Sequence, residues 1–151
     1  MDGFKPVNTA IARLQLWLGS WLAIPPVAWL GLLGLCAAYL QGGIAKATDF
    51  TAAVAEMQHF GLAPAAPFAV AVILLELVGS LLVLTGLYRW IGALALGGFT
   101  LLATLLANRF WEMAPPERFG AANSFFEHLG LVGGFLLVAW YDLGGRMRYQ
   151  R

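Results

Sequence analysis

The sequence predicts an all-α integral membrane protein, a bundle of four transmembrane helices with short interfacial helices. Hydrophobic residues make up 60% of its 151 residues and charged residues 11%, which lies outside the range of soluble domains. Four apolar runs of about 20 residues follow one another, and each is long enough to cross a hydrocarbon core of about 30 Å. We therefore expect the lipid bilayer to surround this chain.

Residues 1–25 are predicted to hold an interfacial helix. Between Asn8 and Ile24, apolar side chains recur at helical spacing, with polar residues elsewhere around the axis. Pro25 and Pro26 then end the helix.

A four-helix membrane domain is predicted over residues 26–141. Its spans are expected at 26–45, 67–88, 90–108 and 121–141, and a surface helix at 49–62, where apolar residues follow the i, i+3, i+4 rule. Residues 142–151 are predicted to form a basic cytoplasmic tail.

The distribution of basic residues predicts the orientation. Six lie on the side of the termini and three on the other side: Lys5, Arg13, Arg89, Arg146, Arg148 and Arg151 against Lys46, Arg109 and Arg118. The positive-inside rule then places both termini in the cytoplasm, which for a bacterial protein means the inner membrane. The surface helix and the connection at 108–123 would face outward.

Glu76 and His128 are the candidate catalytic residues. Glu76 lies nine residues into its span, roughly 13 Å deep, where an acidic group costs about 3 kcal/mol unless it faces other helices. It is either a ligand-binding or proton-exchanging group or a polar residue that joins helices. His128 lies about seven residues into the fourth span, and we expect it to contact Glu76 directly or through water.

Other polar residues of the outward half are candidate substrate-binding or quinone-binding residues. They are Gln41, Lys46, Asn108, Arg109, Trp111 and Asn123. Lys46 and Arg109 are equally consistent with interfacial anchors, and Trp111 with the aromatic belt at the membrane surface.

The composition excludes several classes of function. A single cysteine, Cys36, rules out a disulfide or a dithiol relay within the chain. One histidine within the predicted spans argues against bis-histidine haem, and no cluster of side chains has transition-metal spacing. The net charge of +1 gives no basis for nucleic-acid binding.

Several segments, taken in order, carry a family resemblance. They are GGIAK at 42–46, ELVGSLLVLTGLYR at 76–89, NRFW at 108–111 and NSFFEHLGLVGGFLL at 123–137. With them the chain resembles the DoxX/DoxD family of small four-helix bacterial membrane proteins over about residues 30–141. It departs from that pattern at Glu127-His128, where many relatives have lysine-asparagine, and at Gly79-Ser80, which replaces a glycine pair.

The resemblance implies a membrane redox function, since the DoxD branch includes a subunit of a thiosulfate:quinone oxidoreductase. We expect a quinone-facing membrane subunit in which Glu76 and His128 bind the quinone carbonyls and exchange protons. Lys46 and Arg109 would attract an anionic electron donor such as thiosulfate. The electrons would reach the quinone through another protein subunit. The partner of the chain is therefore expected to be this subunit or, alternatively, further copies of the chain in a homo-oligomer. The alternative is a non-enzymatic membrane scaffold, or a protein that binds a small apolar ligand, in a redox or stress-related complex. Four short spans without a repeated broken helix argue against a transporter.

Overall fold

The computed structural model describes residues 9–22 and 24–149, and the side chains of residues 11–22 and 24–145. The helices are α1 (Thr9–Leu22), α2 (Pro25–Thr48), α3 (Phe50–His59), α4 (Ala65–Thr85), α5 (Arg89–Ala107) and α6 (Glu117–Tyr149), with one 3-10 turn at Phe110–Glu112. No strand occurs among these residues, which confirms the all-α prediction.

Four of the described helices are long and apolar enough to cross a membrane: α2, α4, α5 together with the 3-10 turn, and α6. They correspond to the four predicted spans. The orientation stays a prediction, since length and composition identify the spans but not the side on which the termini lie. Of the basic residues behind it, Lys5, Arg151 and the side chains of Arg146 and Arg148 lie outside the described residues.

The second span ends earlier than the sequence predicted. α4 stops at Thr85 because Gly86 takes up a left-handed conformation, with φ of 80°. The N–H of Gly86 donates to the carbonyl of Leu82, a C-cap that glycine favours because it has no Cβ. Tyr88 is also left-handed, so the chain reverses within three residues before α5 begins.

The fourth span is longer than predicted. The helix α6 begins at Glu117, directly after the proline pair, and continues to Tyr149, whereas the prediction covered residues 121–141. It therefore includes most of the segment that was predicted as a basic tail. The sequence has no proline after Pro116, so every residue of α6 can donate its backbone N–H and the helix can continue.

The chain divides into two compact units, residues 1–34 and 35–151. In the second unit α5 packs against both α4 and α6, and α3 packs against α4. The ring of Tyr39 on α2 meets Phe135 of α6 edge to face, with centroids 5.4 Å apart. Exposed apolar side chains cover the outer faces, such as Leu74, Val78 and Leu81 on α4, as expected for surfaces that meet lipid.

The helices α4 and α5 approach each other at a pair of glycines. A Cβ on Gly92 would lie 2.6 Å from the carbonyl oxygen of Gly79 and 2.8 Å from Cβ of Leu82. Only a glycine fits at Gly92, so this crossing brings the two backbones into direct contact, as small residues commonly allow between membrane helices. This contact fixes α5 against the helix that carries Glu76.

Candidate functional site

A cavity of about 430 Å³ lies in the second unit, at the end of the bundle where α2 and α5 finish and α4 and α6 begin. Its wall is mostly apolar, with side chains from α2, α3, α4, α5 and α6. The polar lining residues are Tyr39, Lys46, Glu56, Glu76, Thr100 and His128. An apolar cavity of this size with a few convergent polar groups is typical of a site for a small organic ligand.

An ion pair between α2 and α4 forms one part of the cavity wall. Nζ of Lys46 donates to Oε1 and Oε2 of Glu76, at 3.1 and 3.3 Å. Lys46 lies in the last turn of α2, and Glu76 lies near the middle of α4. The two side chains are 17% and 7% exposed, so both charges are largely removed from solvent. Glu76 therefore faces the bundle, as its position in an apolar span required.

A hydrogen-bonded cluster between α5 and α6 holds His128 at another part of the wall. Nδ1 of His128 lies 3.1 Å from Nδ2 of Asn108 and 3.1 Å from Oγ1 of Thr104. Nδ2 of Asn108 also donates to Oγ1 of Thr104, at 3.1 Å. The cluster therefore sets the orientation of the imidazole in the cavity wall.

Glu76 and His128 do not form the direct contact that the sequence suggested. Within the described part of the chain, Glu76 accepts hydrogen bonds from Lys46, whereas His128 bonds to Thr104 on α5 and to Asn108, which directly follows α5. The two residues line one cavity from different helices. A water-mediated contact between them stays a prediction.

Five of the predicted site residues are not part of the cavity lining. Asn108 is half-buried behind the wall and bonds to His128. The other four are exposed: Gln41, Arg109, Trp111 and Asn123. Arg109 pairs with Glu112 at 3.3 Å on the surface, and Trp111 stacks edge to face with Phe110 and Phe125. Gln41 precedes Lys46 by five residues, as Asn123 precedes His128, and five residues turn a helix by about 140° from the starting face. Arg109 and Trp111 follow the end of α5, so the helix does not direct them inward.

A family model described as DoxX matches residues 28–109, which is more than half of the chain. The chain belongs to the DoxX family. It is therefore a multi-pass membrane protein, in agreement with its four apolar helices. No curated protein and no solved structure matches it. Within this DoxX chain, Lys46, Glu76, Thr104 and Asn108 lie inside the matched region, and His128 follows it.

Tyr39 and Thr100 add polar groups to the cavity of this DoxX chain that the sequence analysis did not assign to the site. The hydroxyl of Thr100 donates to the carbonyl of Leu96 at 2.7 Å, so the hydroxyl of Tyr39 is the donor in its bond to Thr100. Tyr39 lies seven residues before Lys46, on the same face of α2. That spacing is a signal from which Tyr39 could have been predicted.

The helix α5 carries a second periodic signal. Thr100, Thr104 and Asn108 recur at intervals of four residues, which places them along one face of the helix. Both threonines are buried, at 3% and 0% exposure, although neither belonged to the predicted site. This face supplies the partners of both Tyr39 and His128.

Proposed function

We propose that this DoxX protein is the quinone-binding membrane subunit of an oxidoreductase in the bacterial inner membrane. The observation that carries the proposal is the apolar cavity, with the Lys46–Glu76 pair at one part of its wall and His128 at another. A quinone head group is a flat apolar ring with two carbonyl oxygens. A cavity of about 430 Å³ has room for this ring, and its polar residues offer hydrogen bonds to the carbonyls.

Reduction of a quinone to a quinol takes two electrons and two protons. Glu76, Lys46 and His128 are the groups that exchange protons with the ring in this proposal, because their side chains line the cavity and can bind or release one. The electrons come from a partner subunit. In a thiosulfate-linked reaction, two thiosulfate ions join to form one tetrathionate and release the two electrons that the quinone accepts.

The donor site is assigned to the partner subunit in this proposal. Lys46 and Arg109 are the basic residues that were predicted from the sequence to attract an anionic electron donor. Each of them pairs with a carboxylate, Glu76 and Glu112 respectively. Because these carboxylates already balance the positive charges, the two residues present little net attraction for an anion such as thiosulfate.

Glu76→Gln should strongly reduce quinone retention. The substitution keeps the size of the side chain, but it removes the negative charge that holds the Lys46 ammonium in place and removes a proton-accepting group from the wall. We expect about one quinone per chain in the wild-type protein purified with its native lipids, and a loss of at least about tenfold in the variant, equivalent to roughly 1.4 kcal/mol. Extraction of the purified protein and chromatography of the quinones would measure this ratio.

Glu112→Gln is the matched control, because Glu112 belongs to an exposed ion pair away from the cavity lining. We expect it to retain quinone like the wild-type protein. If neither wild type nor Glu112→Gln is enriched in quinone over the bulk lipid, the quinone proposal is wrong.

Ala38→Phe should block the cavity. Ala38 lines the cavity on α2, and a benzyl group there would occupy space that the ring of a quinone needs. Ala37→Phe adds the same group at an exposed neighbour that is not part of the lining. Titration with a short-chain ubiquinone should give at least about tenfold weaker binding for Ala38→Phe than for Ala37→Phe. Equal binding by the two variants would place the ligand elsewhere.

A second candidate function, a membrane scaffold or binding protein without catalysis, is favoured by a specific observation. The Lys46–Glu76 pair joins α2 to α4, and the Tyr39–Thr100 hydrogen bond joins α2 to α5. Both bonds fix the positions of helices. For a scaffold, Glu76→Gln would lower the thermal stability and leave the quinone content unchanged, which distinguishes the two functions.

A further inference from the structure

The contacts of His128 determine which ring nitrogen carries its proton. Nδ2 of Asn108 is an N–H donor, and it lies 3.1 Å from Nδ1 of His128. A ring nitrogen that accepts a hydrogen bond carries no proton, so the neutral imidazole has its proton on Nε2. His128 is then a hydrogen-bond donor through its second nitrogen.

Thr104 is compatible with the same tautomer. Its Oγ1 accepts a hydrogen bond from Nδ2 of Asn108 and lies 3.1 Å from Nδ1 of His128, so its hydroxyl hydrogen can also point at that nitrogen. Thr104 is fully buried, and the backbone N–H of Asn108 donates to the Thr104 carbonyl at 2.9 Å. Both partners of Nδ1 therefore have fixed positions, Thr104 in the last turn of α5 and Asn108 as the residue that caps this helix.

The ion pair presents a donor as well. The ammonium of Lys46 has three N–H groups, and the pair with Glu76 provides two acceptor oxygens, at 3.1 and 3.3 Å. One N–H remains for a ligand, since Lys46 makes no other hydrogen bond within the described residues. Each oxygen of Glu76 accepts one hydrogen bond from Lys46 and has a second lone pair. The cavity therefore has an N–H donor on α2 and another on α6.

We infer that Thr104 and Asn108 are positioning residues that hold His128 as the Nε2–H tautomer, so that this ring offers the ligand a donor and no acceptor, and favours a carbonyl oxygen of an oxidised quinone over a hydroxyl of the quinol. The choice of ligand rests on the proposed function, whereas the tautomer does not. A quinol has two O–H donors, and an unsatisfied donor in a buried site weakens binding. The selection favours binding of the substrate of quinone reduction and release of its product.

Nitrogen NMR of protein labelled at histidine tests the tautomer without any ligand. His59→Gln removes the second histidine, so the signals come from His128 alone. We expect Nε2 to carry the proton and Nδ1 to be unprotonated. Asn108→Asp replaces the amide donor with a carboxylate acceptor, and should move the proton to Nδ1. A wild-type ring with its proton on Nδ1 would overturn the inference.

Binding of a short-chain ubiquinone and of its quinol, measured without oxygen, tests the selectivity. We expect the wild-type protein to bind the oxidised form about tenfold more tightly, the size of effect that one buried hydrogen bond gives. Asn108→Asp should lose or reverse this preference. Gln58→Glu, which also changes an amide into a carboxylate but at an exposed position of α3 outside the cavity lining, should keep it.

Thr104→Val provides a second variant, which removes the hydroxyl and preserves the shape of the side chain. We expect a reduced preference for the oxidised form with Asn108 still present. Equal binding of both redox forms by the wild-type protein would overturn the selectivity. If the protein binds neither the quinone nor the quinol while NMR shows the His128 proton on Nε2, the proposed function is wrong and the tautomer assignment is still correct.

Discussion

Lys46→Met should lower the free energy of unfolding by about 3 kcal/mol, because it leaves the Glu76 carboxylate buried without its counter-charge. The two side chains are only 17% and 7% exposed, so water cannot replace the missing ammonium effectively. Unfolding of the protein in mixed detergent micelles, followed by circular dichroism, would measure the loss.

Arg109→Met is the matched control for Lys46→Met. Arg109 and Glu112 form an ion pair of similar length, 3.3 Å, but their side chains are 48% and 57% exposed. Such a pair contributes less than about 1 kcal/mol. Replacing both members of the buried pair, as Lys46→Met with Glu76→Leu, should recover most of the lost stability, because no unpaired charge remains. Equal losses for Lys46→Met and Arg109→Met would show that the buried position of the first pair has no energetic effect.

Gly92→Val should also destabilise the protein by about 3 kcal/mol, the upper part of the range for overpacked positions. The first atom of any side chain at Gly92 would lie 2.6 Å from the carbonyl oxygen of Gly79, which is backbone and cannot rotate away. The helices α4 and α5 would have to separate, and the contacts on both sides of the crossing would be lost. The same unfolding measurement applies.

Gly98→Val is the control for this effect. Gly98 lies on the same helix, and a Cβ there would meet nothing within 4 Å. Both variants introduce the same β-branched residue into α5, so the helix propensity changes equally and the difference reports the crossing alone. If the two variants have the same stability, α4 and α5 do not pack as closely as the structure shows.

The sequence was sufficient for the number and order of the membrane-spanning helices, because composition and span length determine them. It did not determine the rotation of one helix relative to the next. Gln41 and Asn123 illustrate this, since both lie on the predicted spans but outside the cavity lining. Lys46 and Glu76 were both candidates, yet their pairing depends on a contact between residues 30 positions apart.

Thr104 and Thr100 were missed for a different reason. A threonine hydroxyl can bond to the carbonyl four residues earlier in its own helix, as Thr100 does with Leu96, so a threonine in a membrane span needs no partner on another helix. Its presence in an apolar sequence therefore says little about a site. The regular spacing of Thr100, Thr104 and Asn108 became informative only once α2 and α6 were placed on that face.

The position of Lys46 also bears on how the protein enters the membrane during synthesis. Lys46 lies in the last turn of α2 and is synthesised 30 residues before Glu76. Before α4 has been synthesised, the long side chain of Lys46 can reach the lipid headgroups. When α4 follows, the cost of its carboxylate, about 3 kcal/mol, is opposed by the apolar residues around it and is reduced once Lys46 turns inward. Because Lys46 precedes Glu76 in the chain, we expect α2 to supply the counter-charge of Glu76 when α4 enters the membrane.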